Sequence, residues 1–251
     1  MKFKKRTLLA GLICLPFMSC GEDSSLQQKT GRDDAEVQFL LGRCYAGSGG
    51  VVSQDYKEAV KWFRLAAEQG NASAQFHLGI AYSNGKGVPQ DSKEAAKWCR
   101  LSAEQGLAQA QFTLGLSYDL GAGVTQDFKE AVKWFRLAAD QGNASAQFKL
   151  GVAYTKGKGV PQDYKEAVKW FRLAAEQRNV SAQFNLGAVY CEGKGVPQDH
   201  VQAYAWITIA AAQGYAQATE ALSSIIKEMT PAQITEGLRL SREYAEKFIK
   251  K

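Results

Sequence analysis

Across residues 71–106 the apolar positions first follow a helical period, with Ala74, Leu78, Ala81 and Tyr82 on one face. Asn84-Gly85-Lys86-Gly87 then interrupts the pattern, because closely spaced glycines favour a turn. The period resumes after Asp91, and Glu94 three residues further on predicts a capping box. In such a box each side chain satisfies a backbone N–H of the other residue. The equivalent stretch one unit earlier puts Ala59, Trp62, Phe63 and Ala66 on one face. Lys57, Lys61, Arg64 and Glu68 lie mostly on the other, so this second helix is amphipathic. Gly70 supplies a left-handed end cap. The unit is therefore a first helix, here helix A, a glycine loop, and a second helix, helix B.

That unit recurs along nearly the whole chain. Trp62, Trp98, Trp134, Trp170 and Trp206 are each 36 residues apart, and Gln-Asp pairs keep the same step at 54, 90, 126, 162 and 198. The capping pair returns as Asp55/Glu58, Asp127/Glu130, Asp163/Glu166 and Asp199/Gln202. A fixed period in the range of about 20 to 50 residues is the signature of a solenoid, in which each unit buries its apolar face only against its neighbours. Tryptophans that recur beside small residues such as Ala66/Ala67 and Ala174/Ala175 read as core.

The repeated string Ala-Gln-Phe-x-Leu-Gly-x-x-Tyr, then Gly-x-Gly-Val-Pro-Gln-Asp, then Glu-Ala-x-Lys-Trp and Ala-Ala-Glu-Gln-Gly resembles the Sel1-like repeat family, a relative of the tetratricopeptide repeat. The expected fold is an all-α right-handed α-solenoid of about six helix-turn-helix pairs. Five Sel1-like repeats are expected over 34–214, at 34–70, 71–106, 107–142, 143–178 and 179–214. Residues 215–251 would add a C-terminal capping helix pair. There Thr230-Pro231-Ala232-Gln233 opens the last helix and Lys247, Lys250 and Lys251 lie near its end. Departures are local: one extra residue in the first loop, Thr125 for the loop proline, and Arg178 where the other units end helix B with glycine. Arginine enters the left-handed region less cheaply than glycine, so an altered junction is expected between the fourth and fifth repeats.

Composition adds little until the N-terminus is considered. The 251 residues are 45% hydrophobic and 22% charged, an ordinary globular balance. The net charge of +6 includes Lys2, Lys4, Lys5 and Arg6; without them 27 basic residues face 25 acidic ones. No basic stripe remains, so nucleic acid is not an expected partner. Those four charges precede an apolar run from Leu8 to Phe17 that is too short to span a bilayer, followed by Met18-Ser19-Cys20-Gly21. Residues 1–20 therefore read as a secretory signal. The ending resembles a bacterial lipoprotein signal, which implies acylation at Cys20, a flexible tether over 21–33, and a place on the periplasmic side of the envelope as an outer-membrane lipoprotein. A soluble periplasmic or secreted product is the alternative. Cys44, Cys99 and Cys191 then remain, each in a different repeat, and read as free thiols serving as small hydrophobes.

Motifs that mimic chemistry dissolve into the repeat. Ser83-Asn84-Gly85-Lys86 and Ser224-Ile225-Ile226-Lys227 fit Ser-x-x-Lys, but the boxes that should accompany them are misplaced. Gly85-Lys86-Gly87 lacks the context of a phosphate loop. No cysteine pair has metal-ligand spacing, and His77, a surface residue of helix A, and His200, in the first turn of a helix B, belong to different repeats. Neither cofactor nor metal is expected, and no catalysis.

One position inside the repeat does vary, between Phe and Leu-Gly of helix A: Leu40, His77, Thr113, Lys149 and Asn185. About two turns on, Ala46, Ser83, Asp119, Thr155 and Cys191 form a second varied row. In tetratricopeptide arrays helix A lines the surface that grips peptides or proteins, so the resemblance implies partner binding by His77, Thr113, Lys149, Asn185, Asp119 and Thr155. Unconstrained solvated positions would vary in the same way. The expected function is a membrane-tethered protein-interaction scaffold. The rivals are cell-wall ligand binding or a penicillin-binding or β-lactamase-like hydrolase, as in cysteine-rich relatives, and a secreted effector that binds a host protein. The cysteine pairs of those relatives are missing here.

Overall fold

The computed structural model describes residues 34–48 and 53–249. The signal reading over 1–20, the acylation site Cys20, the tether over 21–33 and the terminal Lys250 and Lys251 lie outside the described residues. Twelve α-helices follow one another, and among the described residues there is no strand. They are α1 (Ala35–Arg43), α2 (Tyr56–Glu68), α3 (Ala72–Asn84), α4 (Ser92–Glu104), α5 (Ala108–Leu120), α6 (Phe128–Asp140), α7 (Ala144–Lys156), α8 (Tyr164–Glu176), α9 (Val180–Glu192), α10 (His200–Ala212), α11 (Ala216–Ile225) and α12 (Pro231–Ile249). The all-α expectation of consecutive helix pairs is met.

The chain forms two compact units, Met1–Gln126 and Asp127–Lys251. In the first, α1 packs on α2, α2 on α3, α3 on α4 and α4 on α5. In the second the same succession runs from α6 to α10, which then takes α11 and α12 on its far side. Helix A contributes Leu78, Leu114, Leu150 and Leu186 to the core, all fully buried, together with the alanine four residues before each. Helix B contributes Phe63, Phe135 and Phe171, with Cys99 and Ile207 at the same position in the second and fifth repeats. The helix A glycine is required by this packing: a Cβ on Gly151 would stand 2.4 Å from the Phe171 ring, and one on Gly79 would stand 2.7 Å from Cys99 Sγ.

The tryptophans correct the reading that made all five core. Trp170 and Trp206 are 8% and 4% exposed, but Trp62, Trp98 and Trp134 are only half-buried. Phe63, Cys99, Phe171 and Ile207, each the residue after a tryptophan, face the helix A glycines Gly42, Gly79, Gly151 and Gly187, so the indole beside each takes a different direction. The two most buried indoles have further cover. Arg136 lies 5.0 Å from the centre of the Trp170 ring, and Tyr244 of α12 stacks on Trp206 at 4.9 Å.

The capping boxes are half of what the spacing predicts. Asp55, Asp91, Asp127 and Asp163 each accept from two backbone N–H groups of the first turn, at 2.8–3.1 Å. The glutamates do not reach back; Glu58, Glu94, Glu130 and Glu166 pair instead with the lysine one turn on. The lysine outcompetes the backbone N–H because it brings a full charge to an exposed carboxylate. Among the described residues the reciprocal box forms only before α12, where the Thr230 N–H donates to Gln233 and the Gln233 N–H to the Thr230 hydroxyl, at 2.8 and 3.3 Å.

Arg178 takes φ = 65°, and among the described residues it is the only non-glycine in the left-handed region. The junction it was expected to alter keeps its hydrogen bonds. The Asn179 N–H donates to the Ala174 carbonyl at 3.1 Å, as the Asn71 N–H does to the Ala66 carbonyl at 3.0 Å. The hydrogen-bond pattern is kept, while φ falls to 65° from the 84–90° of the equivalent glycines and the left-handed backbone carries the strain.

Candidate partner-binding surface

The varied row sits on helix A one residue before the buried leucine, so its side chains emerge at the border of the core. His77, Thr113, Lys149 and Asn185 are all half-buried. Three of them return their polar ends to the carbonyl one turn earlier: His77 Nδ1 pairs with Ser73 O at 2.8 Å, Thr113 Oγ1 donates to Gln109 O at 2.9 Å, and Asn185 Nδ2 donates to Ser181 O at 2.8 Å. A polar group at such a border needs a partner, and the preceding helical turn offers one whatever the residue type. This explains how the fold tolerates three different polar side chains, His77, Thr113 and Asn185, at one place.

His77 differs from its expected role as a surface residue. Its ring lies 5.2 Å from the rings of both Phe39 and Phe63, the former edge-on, in the first unit. Burial pushes its pKa below the usual histidine value, with Arg43 adding a smaller push downward, while the bond to Ser73 works in the opposite direction. The imidazole is held mainly neutral, packed as an aromatic side chain with one polar edge.

The second row closes helix A. Ser83 is exposed, while Ala46, Asp119, Thr155 and Cys191 are half-buried. Here the side chain varies but the backbone carbonyl does not go unmet. Gln54, Gln90, Gln126, Gln162 and Gln198 of the loops donate to the carbonyls of Ala46, Ser83, Asp119, Thr155 and Cys191 at 2.7–3.0 Å. The recurring Gln of the Gln-Asp pair is thus a helix C-terminal cap. Cys191 also lines a cleft of about 200 Å³ with Phe184, Ile207, Ser224 and Glu228. Its thiol is pushed to a higher pKa by burial and then by Glu228 and Glu192, the opposite of what a nucleophile needs.

Several residues that organise this surface escaped the sequence reading. Gln75, Gln147 and Gln183 are buried, each donating to a carbonyl at the end of the preceding helix B at 3.1 Å. Each also accepts, at 2.6–2.8 Å, from the glutamine that ends the following helix B: Gln105, Gln177 and Gln213. This ladder is legible only as an invariant polar residue on the apolar face of helix A. On the other side, Arg64 and Arg100 donate to the hydroxyls of Tyr82 and Tyr118 at 2.6 and 2.5 Å, and Arg136 and Arg172 reach Tyr154 and Tyr190 in the same way. Both sets join one repeat to the next. They fix the spacing of the helix A positions without using any of the varied residues.

Comparison with known proteins follows the same units. A family model described as Sel1 repeat matches residues 35–71, 72–107, 108–143, 144–179 and 180–215. The solved Sel1 repeat protein from Oxalobacter formigenes is similar, with 37% identity and a TM-score of 0.69 over 79% of this chain and 57% of that one. A protective antigen present in uropathogenic Escherichia coli strains, which displays an SLR fold, shares 36% identity with a TM-score of 0.61 over 89% of this chain and 56% of that one. This chain therefore spans little more than half the length of either. Among curated proteins there is no match.

Proposed function

The chain belongs to the Sel1 repeat family, and from that premise we propose that it is a non-catalytic scaffold that binds a protein or peptide through the varied positions of its A helices. One observation carries the reading. The helix A position before the buried leucine changes chemistry in every repeat, while the glutamine, leucine and glycine around it are held by buried contacts. A framework that fixes the backbone and leaves one border position open to choice is what a repeat protein needs to recognise a specific partner.

Attachment to the envelope is part of the same proposal. The lipoprotein-like ending at Cys20 supports acylation there and a periplasmic-side, outer-membrane location, with residues 21–33 as tether. Among the described residues no helix is long and apolar enough to cross a membrane. A lipid at Cys20 would supply the hydrocarbon for attachment.

The test is crosslinking in the envelope with identification of the captured protein, repeated with two lysine variants. Lys149→Glu reverses a charge in the varied row and is expected to weaken capture at least tenfold, on the scale of a charge pair buried on binding. Lys133→Glu, on the exposed face of helix B where Lys133 pairs with Glu130, is expected to bind as wild type. Equal capture by both variants overturns the reading. Cys20→Ala tests the anchor separately: it should move the protein from the membrane fraction to a soluble or unprocessed form.

A further inference from the structure

In the second unit, α12 packs against α10 and leaves a cleft of about 360 Å³ beside it. Its apolar lining is Ile209, Ala212 and Ala245, and two guanidinium groups, Arg178 and Arg242, stand at its exposed edge. No acidic residue lines it. Among the described residues neither guanidinium makes an ion pair or a hydrogen bond. Arg239, one turn earlier on α12, is by contrast bound to both Glu236 and Glu243. Thr208, also in the lining, holds its hydroxyl out of solvent without a hydrogen-bond partner.

Two of these residues break the repeat. Position 208 is arginine in the four preceding B helices, at 64, 100, 136 and 172, where it reaches a tyrosine. Position 178 is glycine in the other four repeats, at 70, 106, 142 and 214, with φ between 84° and 90°. An arginine there takes on left-handed strain that, among the described residues, every other non-glycine avoids. Strain kept against an available glycine points to a use for the side chain.

We propose that this cleft is a carboxylate-binding site for the C-terminus of a peptide with an apolar last residue. The carboxylate would lie between Arg178 and Arg242, whose planar forks match its two oxygens. The last side chain would sit on Ile209, Ala212 and Ala245. The site shares no residue with the varied rows of helix A, so its failure would leave the scaffold reading standing.

The probe is a fluorescein-labelled peptide Gly-Ser-Gly-Ala-Leu with a free C-terminal carboxylate, titrated with the full chain and followed by anisotropy. Its C-terminal amide is the paired control. Saturable binding of the acid is expected, with the amide weaker by about tenfold or more, the scale of one charge-assisted contact. Arg242→Gln and Arg178→Gly should each weaken the acid by a similar factor. Arg178→Gly should at the same time melt higher than wild type, because it relieves the strain. That combination separates a binding role from a structural one. Acetate in excess should displace the peptide. Absence of binding, equal binding of acid and amide, retention in the double variant, or displacement by inorganic phosphate but not acetate would each overturn the proposal.

Discussion

Helix α4 of the second repeat and helix α8 of the fourth occupy equivalent places and have the same length, yet they fill them differently. In α8, Tyr164, Val168, Phe171 and Ala174 occupy positions where α4 has Ser92, Ala96, Cys99 and Ser102. Phe171 is 1% exposed and Cys99 2%, so the smaller residue is buried just as completely. Two compensations are visible. Ser102 donates its hydroxyl to the Ala72 carbonyl at 2.7 Å, turning a lost apolar contact into a hydrogen bond between the two helices of the second repeat. The loop lysine that covers an aromatic ring elsewhere disappears together with its ring: Lys86 lies over Tyr56, Lys158 over Phe128 and Lys194 over Tyr164, at 4.5–5.7 Å, but Ser92 is matched by Ala122. What α4 and α8 share is their backbone constraints: the aspartate cap, the buried glutamine and the close approach of loop glycine to the start of helix B. Side-chain volume drifts within that frame.

The largest expected effect separates the two helices directly. Phe171→Ala should cost about 3 to 5 kcal/mol in chemical denaturation of the intact chain, the usual range for removing a buried aromatic ring. Cys99→Ala should cost about 1 kcal/mol, near the centre of ordinary single substitutions. Equal costs would mean that the large side chains of α8 add nothing to the shared frame.

Next in size is a test of the frame itself. Gly123 and Gly195 both have positive φ, and a Cβ there would stand 1.8 Å from the Ser92 carbonyl oxygen and 2.4 Å from that of Tyr164. Gly142 also has positive φ but has nothing within 4 Å. Left-handed strain is common to all three, about 1 to 2 kcal/mol for alanine, so any excess measures the backbone collision. Gly123→Ala and Gly195→Ala should both melt well below Gly142→Ala, and by similar amounts despite the different side chains of α4 and α8. If only Gly195→Ala is severe, the second repeat is held more loosely than the fourth.

A smaller effect follows from the compensating bond. Ser102→Ala should cost about 1 kcal/mol, the net worth of a hydrogen bond whose partly buried carbonyl partner is left behind. A neutral result would show that Ser102 only fills space.

At neutral pH the remaining effect is silent: it is a pH dependence confined to α4. Burial pushes the Cys99 thiol from its ordinary 9.0 up to about 12, so the folded chain holds this proton more tightly than the unfolded one. The associated stability is whole below pH 9 and is lost as pH rises from 9 toward 12. Wild type should therefore lose stability over that interval more steeply than Cys99→Ala, and native Cys99 should resist alkylation at pH 8. Rapid labelling without unfolding would contradict its burial.

The period of 36 residues, the two helices in each unit and their boundaries follow from local signals: an aspartate before helix B, a glycine after it, and apolar spacing between. These are short-range properties, set by capping and amphipathic pattern, so the sequence alone determines them, and with them the varied row at His77, Thr113, Lys149 and Asn185. The tertiary structure decides which of two neighbouring aromatics is core. Trp62 and Phe63 differ by one helical step, and only the position of Gly42 on the facing helix, 2.5 Å from the ring once a Cβ is added, selects Phe63. It also decides where a glutamate turns when a lysine and a backbone N–H compete for it, and that the buried glutamines bond from one repeat to the next. The cleft beside α12 belongs to this second kind. Arg178 and Arg242 are 64 positions apart in a chain whose period is 36, and only the docking of the last helix puts them on one cavity.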